Sequence, residues 1–176
     1  MKTCPVCGMR FENAVPQCNY CNYKEKTMEE YSKTQIHKAL SRFEYEKAED
    51  GGYRILRVKN PRSVEMRDSL GIAHFVTEIS SGAFSHCKFI TDVDLPYGLR
   101  YIGDNAFIGC KNLAYIFIPE SVERMGKEIF GECEELAEIR CAAPEKPEGW
   151  DDGWTDGWDG CMVNGYLTEL KWGCKK

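Results

Sequence analysis

Four cysteines near the start of the chain have the spacing that chemistry would need: Cys4-Pro-Val-Cys7 and, after ten intervening residues, Cys18-Asn-Tyr-Cys21. Each C-x2-C pair turns tightly enough to aim two sulfurs at one point, so the two pairs match a tetrahedral thiolate site for a soft metal ion. Pro5 fixes φ in the first turn, and Gly8 directly after Cys7 lets the backbone curl back until its amides approach the sulfurs. Phe11, Tyr20 and Tyr23 supply some apolar cover, which in about two dozen residues is too little to fold by burial alone. Two disulfides or a redox C-x2-C are the alternatives. They are disfavoured because neither pair stands beside a βαβ pattern.

The residues CPVCGMRF and CNYC resemble a short zinc ribbon over residues 1–26. The resemblance implies a structural Zn2+ held by Cys4, Cys7, Cys18 and Cys21, with no position left for water and therefore no zinc catalysis. Zinc ribbons serve protein contacts as often as nucleic-acid contacts. Residues 1–47 carry eight Lys/Arg against six Asp/Glu, and this slight basic excess keeps nucleic acid as the alternative partner of this end. The remaining residues carry 15 against 22, and the whole chain has a formal charge of −5. A duplex-binding surface needs clustered cations, so the bulk of the chain is a poor candidate for nucleic acid.

No other group of residues composes a catalytic set. There is no P-loop, no G-x-S-x-G and no H-E-x-x-H, and His37, His74 and His86 form no set with a nucleophile. The expectation is a non-enzymatic protein. No apolar run approaches the ~20 residues needed to cross a bilayer, and MKTCPVCGMR lacks the apolar centre of a secretory signal. A cytoplasmic location away from membranes follows as an expectation, and there thiols are ligands or core residues before they are disulfides.

The elements that would position these groups begin with a connecting amphipathic segment, 27–47. Within TMEEYSKTQIHKALSRF, residues 27–43, Met28, Tyr31, Ile36, Leu40 and Phe43 lie near one helical face, and Thr27 with Glu30 fits a capping box. His37 falls between the apolar positions and reads as exposed or partly covered. Next, FEYEKAEDGGYRILRV places Asp-Gly-Gly between alternating segments, the signal of an antiparallel hairpin over 43–58.

From residue 76 the chain repeats every 23 residues. Phe84, Phe107 and Phe130 fall in register, as do Cys87, Cys110 and Cys133. Five further apolar columns keep the same step, among them Ile79, Ile102 and Met125, and Val93, Ile116 and Ile139. Such columns indicate a solenoid whose coils bury their inward side chains against one another. The triplets 93–95, 116–118 and 139–141 alternate like strands and would stack into a parallel sheet with neighbours ~4.8 Å apart. Val64-Glu-Met66 extends the column backwards if a longer first turn follows it. The cysteine column reads as a buried thiol stack, because parallel Cβ vectors disfavour the disulfide dihedral.

The stretch LRYIGDNAFIGCKNLAYIFIPESVERMG resembles the BspA-type leucine-rich repeats of bacteria, a likeness covering roughly residues 53–150. It departs from that pattern at Ile129 and at Cys141-Ala142, which suggests that the third coil is terminal. The resemblance implies an α/β chain: a short right-handed leucine-rich-repeat solenoid of about three to four coils, hairpin-capped over 48–145, with the N-terminal zinc ribbon and helix before it. It also implies a recognition scaffold for a protein partner. Alternation across the strands puts Glu65, Asp92, Asp94, Tyr115, Phe117, Glu138 and Arg140 on the outward face. Exposed aromatics bordered by charges suit a partner-binding patch.

Residues 146–176 form a Trp-rich end, with Trp150, Trp154 and Trp158 among Asp-Gly pairs. The last coil of a solenoid exposes apolar surface, so these rings read as a cap. A sugar platform built on the tryptophans, or a calcium site on Asp151, Asp152, Asp156 and Asp159, is the alternative. Cys161 and Cys174 read as free thiols.

Overall fold

The computed structural model describes residues 2–3, 10–11, 32–61, 68–158 and 169–175. The four cysteines of the expected metal site, Glu65, and the Thr27–Glu30 cap lie outside these residues, as does Cys161. Near the start, β1 (Lys2–Thr3) pairs antiparallel with β2 (Arg10–Phe11).

The helix α1 spans Lys33–Ala39. Its capping box is made by Ser32 and Gln35: the Gln35 amide donates to Ser32 Oγ at 3.2 Å, and the Ser32 amide donates to Gln35 Oε1 at 3.0 Å. The described helix thus starts later than the expected 27 and ends before Phe43. Its buried Ile36, together with Leu40 at the C-cap, faces the core. Phe43 is also buried, but it opens the strand β3 (Phe43–Lys47).

β3 and β4 (Tyr53–Val58) form the anticipated antiparallel hairpin, with Gly51 at φ 89° in the turn. From β4 onward the chain builds two sheets. The first has the order β10-β8-β6-β4-β3, where β6 is Val76–Ile79, β8 is Tyr101–Ile102 and β10 is Arg124–Met125. The second has the order β12-β11-β9-β7-β5, where β5 is Asp68–Gly71, β7 is Ile90–Asp94, β9 is Tyr115–Ile118, β11 is Glu138–Cys141 and β12 is Glu169–Lys171. All pairings are parallel except β3 with β4. Each coil therefore contributes a strand to both sheets, and the column Ile79, Ile102, Met125 belongs to the sheet that the sequence reading did not anticipate.

Two placements differ from the sequence reading. The first rung of the second sheet is β5 and not Val64-Glu-Met66: Leu70 pairs with Val93 and Ser69 with Asp92, so the 23-residue step simply continues and no longer first turn is needed. Nor is the third coil terminal. The tail lays a further partial coil on it, with the Glu128 amide donating to Gly153 O at 2.8 Å, Glu132 to Gly157 O at 3.3 Å and Met125 to Gly149 O at 3.3 Å.

Between the sheets lies one continuous core cluster running from Ile36 to Trp154. Its axis is a ladder of rings. Phe84 stacks on Phe107 with centroids 5.0 Å apart and Phe107 on Phe130 at 6.0 Å. Phe43 closes the ladder edge-on at one end, at 5.8 Å, and Trp154 closes it edge-on at the other, at 6.2 Å. Stacking at one coil per 23 residues leaves little room beside the ladder. A Cβ on Gly103 would stand 2.4 Å from the Ser81 amide nitrogen, so only glycine lets these two coils close.

Candidate binding face

Parallel pairing at a constant step turns alternate residues of the second sheet into rows that cross every rung. One outward row is Asp92, Tyr115, Glu138 and Glu169, and the next is Asp94, Phe117, Arg140 and Lys171. The structure thus brings six of the seven sequence-predicted face residues onto one surface, the seventh, Glu65, being outside the described residues. Glu169 and Lys171 come from β12, which the sequence reading treated only as part of the cap.

Phe117 corrects the expectation of an exposed aromatic pair. It is only 3% exposed. It does not join the core cluster between the sheets; the Tyr97 ring lies against it at 6.2 Å. A large ring on rungs this close together is covered by its own neighbours. Tyr115 is half-buried, with the Arg140 guanidinium 5.5 Å from its ring centroid. Burial raises the Tyr115 phenol above its ordinary pKa, with Arg140 opposing that shift.

Charge on this face divides by position. At the β11–β12 end, Glu138 accepts from Lys171 at 2.6 Å and from Arg140 at 3.0 Å. The Lys171 ammonium, followed by Arg140, holds the Glu138 carboxyl below the usual carboxylate range. At the β7 end, Asp92 and Asp94 supply acidic groups, with Asp94 exposed and Thr91 Oγ1 donating to Asp92 at 3.2 Å. The face therefore carries Asp92 and Asp94 at one end, Tyr115 between, and the Glu138–Lys171 pair at the other.

The other sheet repeats the scheme without an acidic end. Arg54 bridges Glu46 at 2.8 Å and Glu78 at 2.5 Å, and Arg124 covers the Tyr101 ring at 4.9 Å. Its outward charges are largely spent on one another.

The remaining candidates resolve into structural roles. Cys87, Cys110 and Cys133 are buried and free. Cys110 Sγ donates to Phe84 O at 3.1 Å and Cys133 Sγ to Phe107 O at 3.2 Å. Burial pushes the thiols of Cys87, Cys133 and Cys141 up to about 12, and that of Cys110 up as well, so they are poor nucleophiles. Trp150 and Trp154 are buried, and Trp150 Nε1 donates to Val122 O at 2.9 Å. These two rings therefore present no flat face to a sugar. Asp151 accepts from the Gly153 amide at 2.8 Å, and Asp152 pairs with Lys146. Among the described residues no group of three or more His, Cys, Asp or Glu could hold a metal ion. His37 is exposed, with Nδ1 3.3 Å from the Tyr45 hydroxyl. Burial lowers the pKa of half-buried His74. Among the described residues no helix is long and apolar enough to cross a membrane.

Comparison with known proteins agrees with this geometry. Residues 66–146 match the family model described as a BspA type leucine rich repeat region of six copies. A leucine rich repeat protein of T. pallidum is 25% identical with a TM-score of 0.55, over 76% of this chain and 63% of its own length. A leucine-rich repeat protein from Bacteroides capillosus is 21% identical with a TM-score of 0.57, over 74% of this chain and 94% of its own. A leucine rich cell surface protein from Faecalibacterium prausnitzii, 21% identical with a TM-score of 0.54, is spanned over 39% of its length, and this chain over 77%. The chain thus spans less than two thirds of the T. pallidum protein. No curated protein sequence matches it.

Proposed function

From the match of residues 66–146 to the BspA-type leucine-rich repeat family model, we propose that the chain is a non-enzymatic scaffold that recognises a protein partner through the outward face of the β5–β12 sheet. The observation that carries this reading is the pair of in-register rows across that sheet, in which Asp92 and Asp94 lie beside the half-buried Tyr115. Aromatic anchors beside charges concentrate binding energy and orient a partner. The opposite sheet makes a built-in control, because its Tyr101 also carries an arginine but has Glu78 and Arg54 paired around it. A photo-crosslinking amino acid at Tyr115 is expected to trap one defined protein in the host cell, identified by mass spectrometry, whereas the same probe at Tyr101 traps none. Asp92→Lys with Asp94→Lys should remove the adduct. Equal labelling from both faces would count against the reading.

The same proposal keeps a structural zinc at Cys4, Cys7, Cys18 and Cys21, supported by the spacing of the two pairs. It also sets the protein in the reducing cytoplasm, a setting that suits the free thiols of the solenoid. Elemental analysis of purified protein is expected to find one zinc per chain, lost together with a gain of four reactive thiols on chelation. Metal-free protein whose first four thiols react at once would refute this part while leaving the binding face untouched.

A further inference from the structure

The second sheet ends at β12, which has no strand on its far side among the described residues. All three of its residues are exposed. Leu170 is the one large hydrophobic side chain among the described residues that stands exposed, at 36%. It continues the column of Ile116 and Ile139, with which it is in register, so among the described residues the apolar interior of the sheet reaches its end without a covering rung.

Among the described residues the backbone at this edge is open as well. The Glu169 amide donates inward to Ala137 O at 3.0 Å. Successive residues of a strand direct their amides to opposite sides, so the N–H and C=O of Leu170 point away from β11. Those two groups are what a residue needs to sit at the centre of a hydrogen-bonded antiparallel pair.

The sequence of the edge is Glu169-Leu170-Lys171. Laid antiparallel against itself about a two-fold axis through Leu170, it sets Glu169 opposite the partner's Lys171 and Leu170 opposite the partner's Leu170. Charged edge residues ordinarily discourage pairing. Here the same two charges become opposite-sign cross-strand pairs only when the neighbour is an identical strand running the other way. Within one chain Lys171 already lies 2.5 Å from Glu169 and 2.6 Å from Glu138, so it can turn to the partner's carboxylate while keeping Glu138.

We propose that β12 is a self-complementary docking edge for a second copy of this chain, joining two solenoids end to end through an antiparallel β12–β12 pair and a shared Leu170 contact. A contact of three residues a side falls well below the ~1,200 Å² of a standard interface, so the association is weak and concentration-dependent. Glu169 and Lys171 also stand in the outward rows of the face proposed above, but the crosslink from Tyr115 and its loss in Asp92→Lys/Asp94→Lys do not involve β12, so either reading can fail alone.

Sedimentation equilibrium on the full chain is expected to show a monomer–dimer equilibrium. Glu169→Lys and Lys171→Glu should each weaken it by about 10-fold or more, since each turns two attractive pairs into repulsive ones. Mixing these two variants should restore a heterodimer, and the double exchange E169K/K171E should restore the homodimer. Both residues are exposed, so cooperative melting will show that every variant folds, with Lys171→Glu melting somewhat lower because it also loses the Glu138 pair. A wild type that stays monomeric up to about 1 mM overturns the proposal. So does a dimer indifferent to the charge changes, which would lie on another surface, or a monomer whose edge accepts only an unrelated extended peptide.

Discussion

Replacing Phe107 by alanine is expected to cost about 3–5 kcal/mol, the largest loss from any single core truncation of this kind. Phe107 stands in the middle of the ring ladder, with Phe84 stacked on one side and Phe130 on the other. A coil of a solenoid is held chiefly by its neighbours, so removing the ring weakens two interfaces at once. Against a total stability of about 5–15 kcal/mol, this brings the protein to the edge of unfolding at room temperature. Urea denaturation followed by near-ultraviolet circular dichroism would measure it. Phe43→Ala, which removes an edge-on ring with one ladder neighbour, should cost distinctly less. A loss below about 1 kcal/mol for Phe107→Ala would mean that the ladder does not hold the coils together.

The ladder was legible in the sequence because its members recur at one fixed step, and the same regularity revealed the parallel sheet of β7, β9 and β11. What escaped notice was short, irregular or imposed from outside. The first sheet, β10-β8-β6-β4-β3, includes two-residue strands such as Tyr101–Ile102, too brief to show alternation. The further coil was hidden by a change of spacing. Gly82 bonds to Asp104 and Asn105 to Lys127, each 22 residues on, whereas Glu128 bonds to Gly153, 25 residues on. Left-handed backbone recurs at His86, Gly109 and Glu132, with φ 56°, 67° and 57°. Only one of the three is glycine, so the stacked layers and not local propensity set that conformation. On the face, alternation assigned Phe117 its side of the strand but not its burial, which depends on Tyr97 from a different turn. The pairing of β12 with β11 had no local signal either, since Glu-Leu-Lys says nothing about which rung it will join.

The buried thiols are expected to make the solenoid labile to alkali, and the sign follows from burial. In the unfolded chain a cysteine ionises near its ordinary value of about 8.5–9. In the folded chain Cys87, Cys133 and Cys141 hold their protons to about 12, and Cys110 is shifted the same way. Between those values the native state binds more protons than the unfolded one, so stability falls as pH rises. It is fully present below about pH 9 and is lost progressively toward pH 12 at ~1.4 kcal/mol per pH unit for each thiol. Four such thiols together give a slope of roughly 5 kcal/mol per pH unit, enough to unfold a domain of ordinary stability within about two units. Tyrosine and lysine also titrate in this window, but they do so equally in a variant that differs at one cysteine. Cys110→Ala should therefore be less stable near neutrality, through its lost packing. Its plot of unfolding free energy against pH should be shallower than that of the unchanged chain by ~1.4 kcal/mol per unit above pH 9, so the two curves converge. Parallel curves would mean that the Cys110 thiol ionises freely in the folded coil, which a side chain sealed between Phe84 and its own rung cannot do without opening the stack.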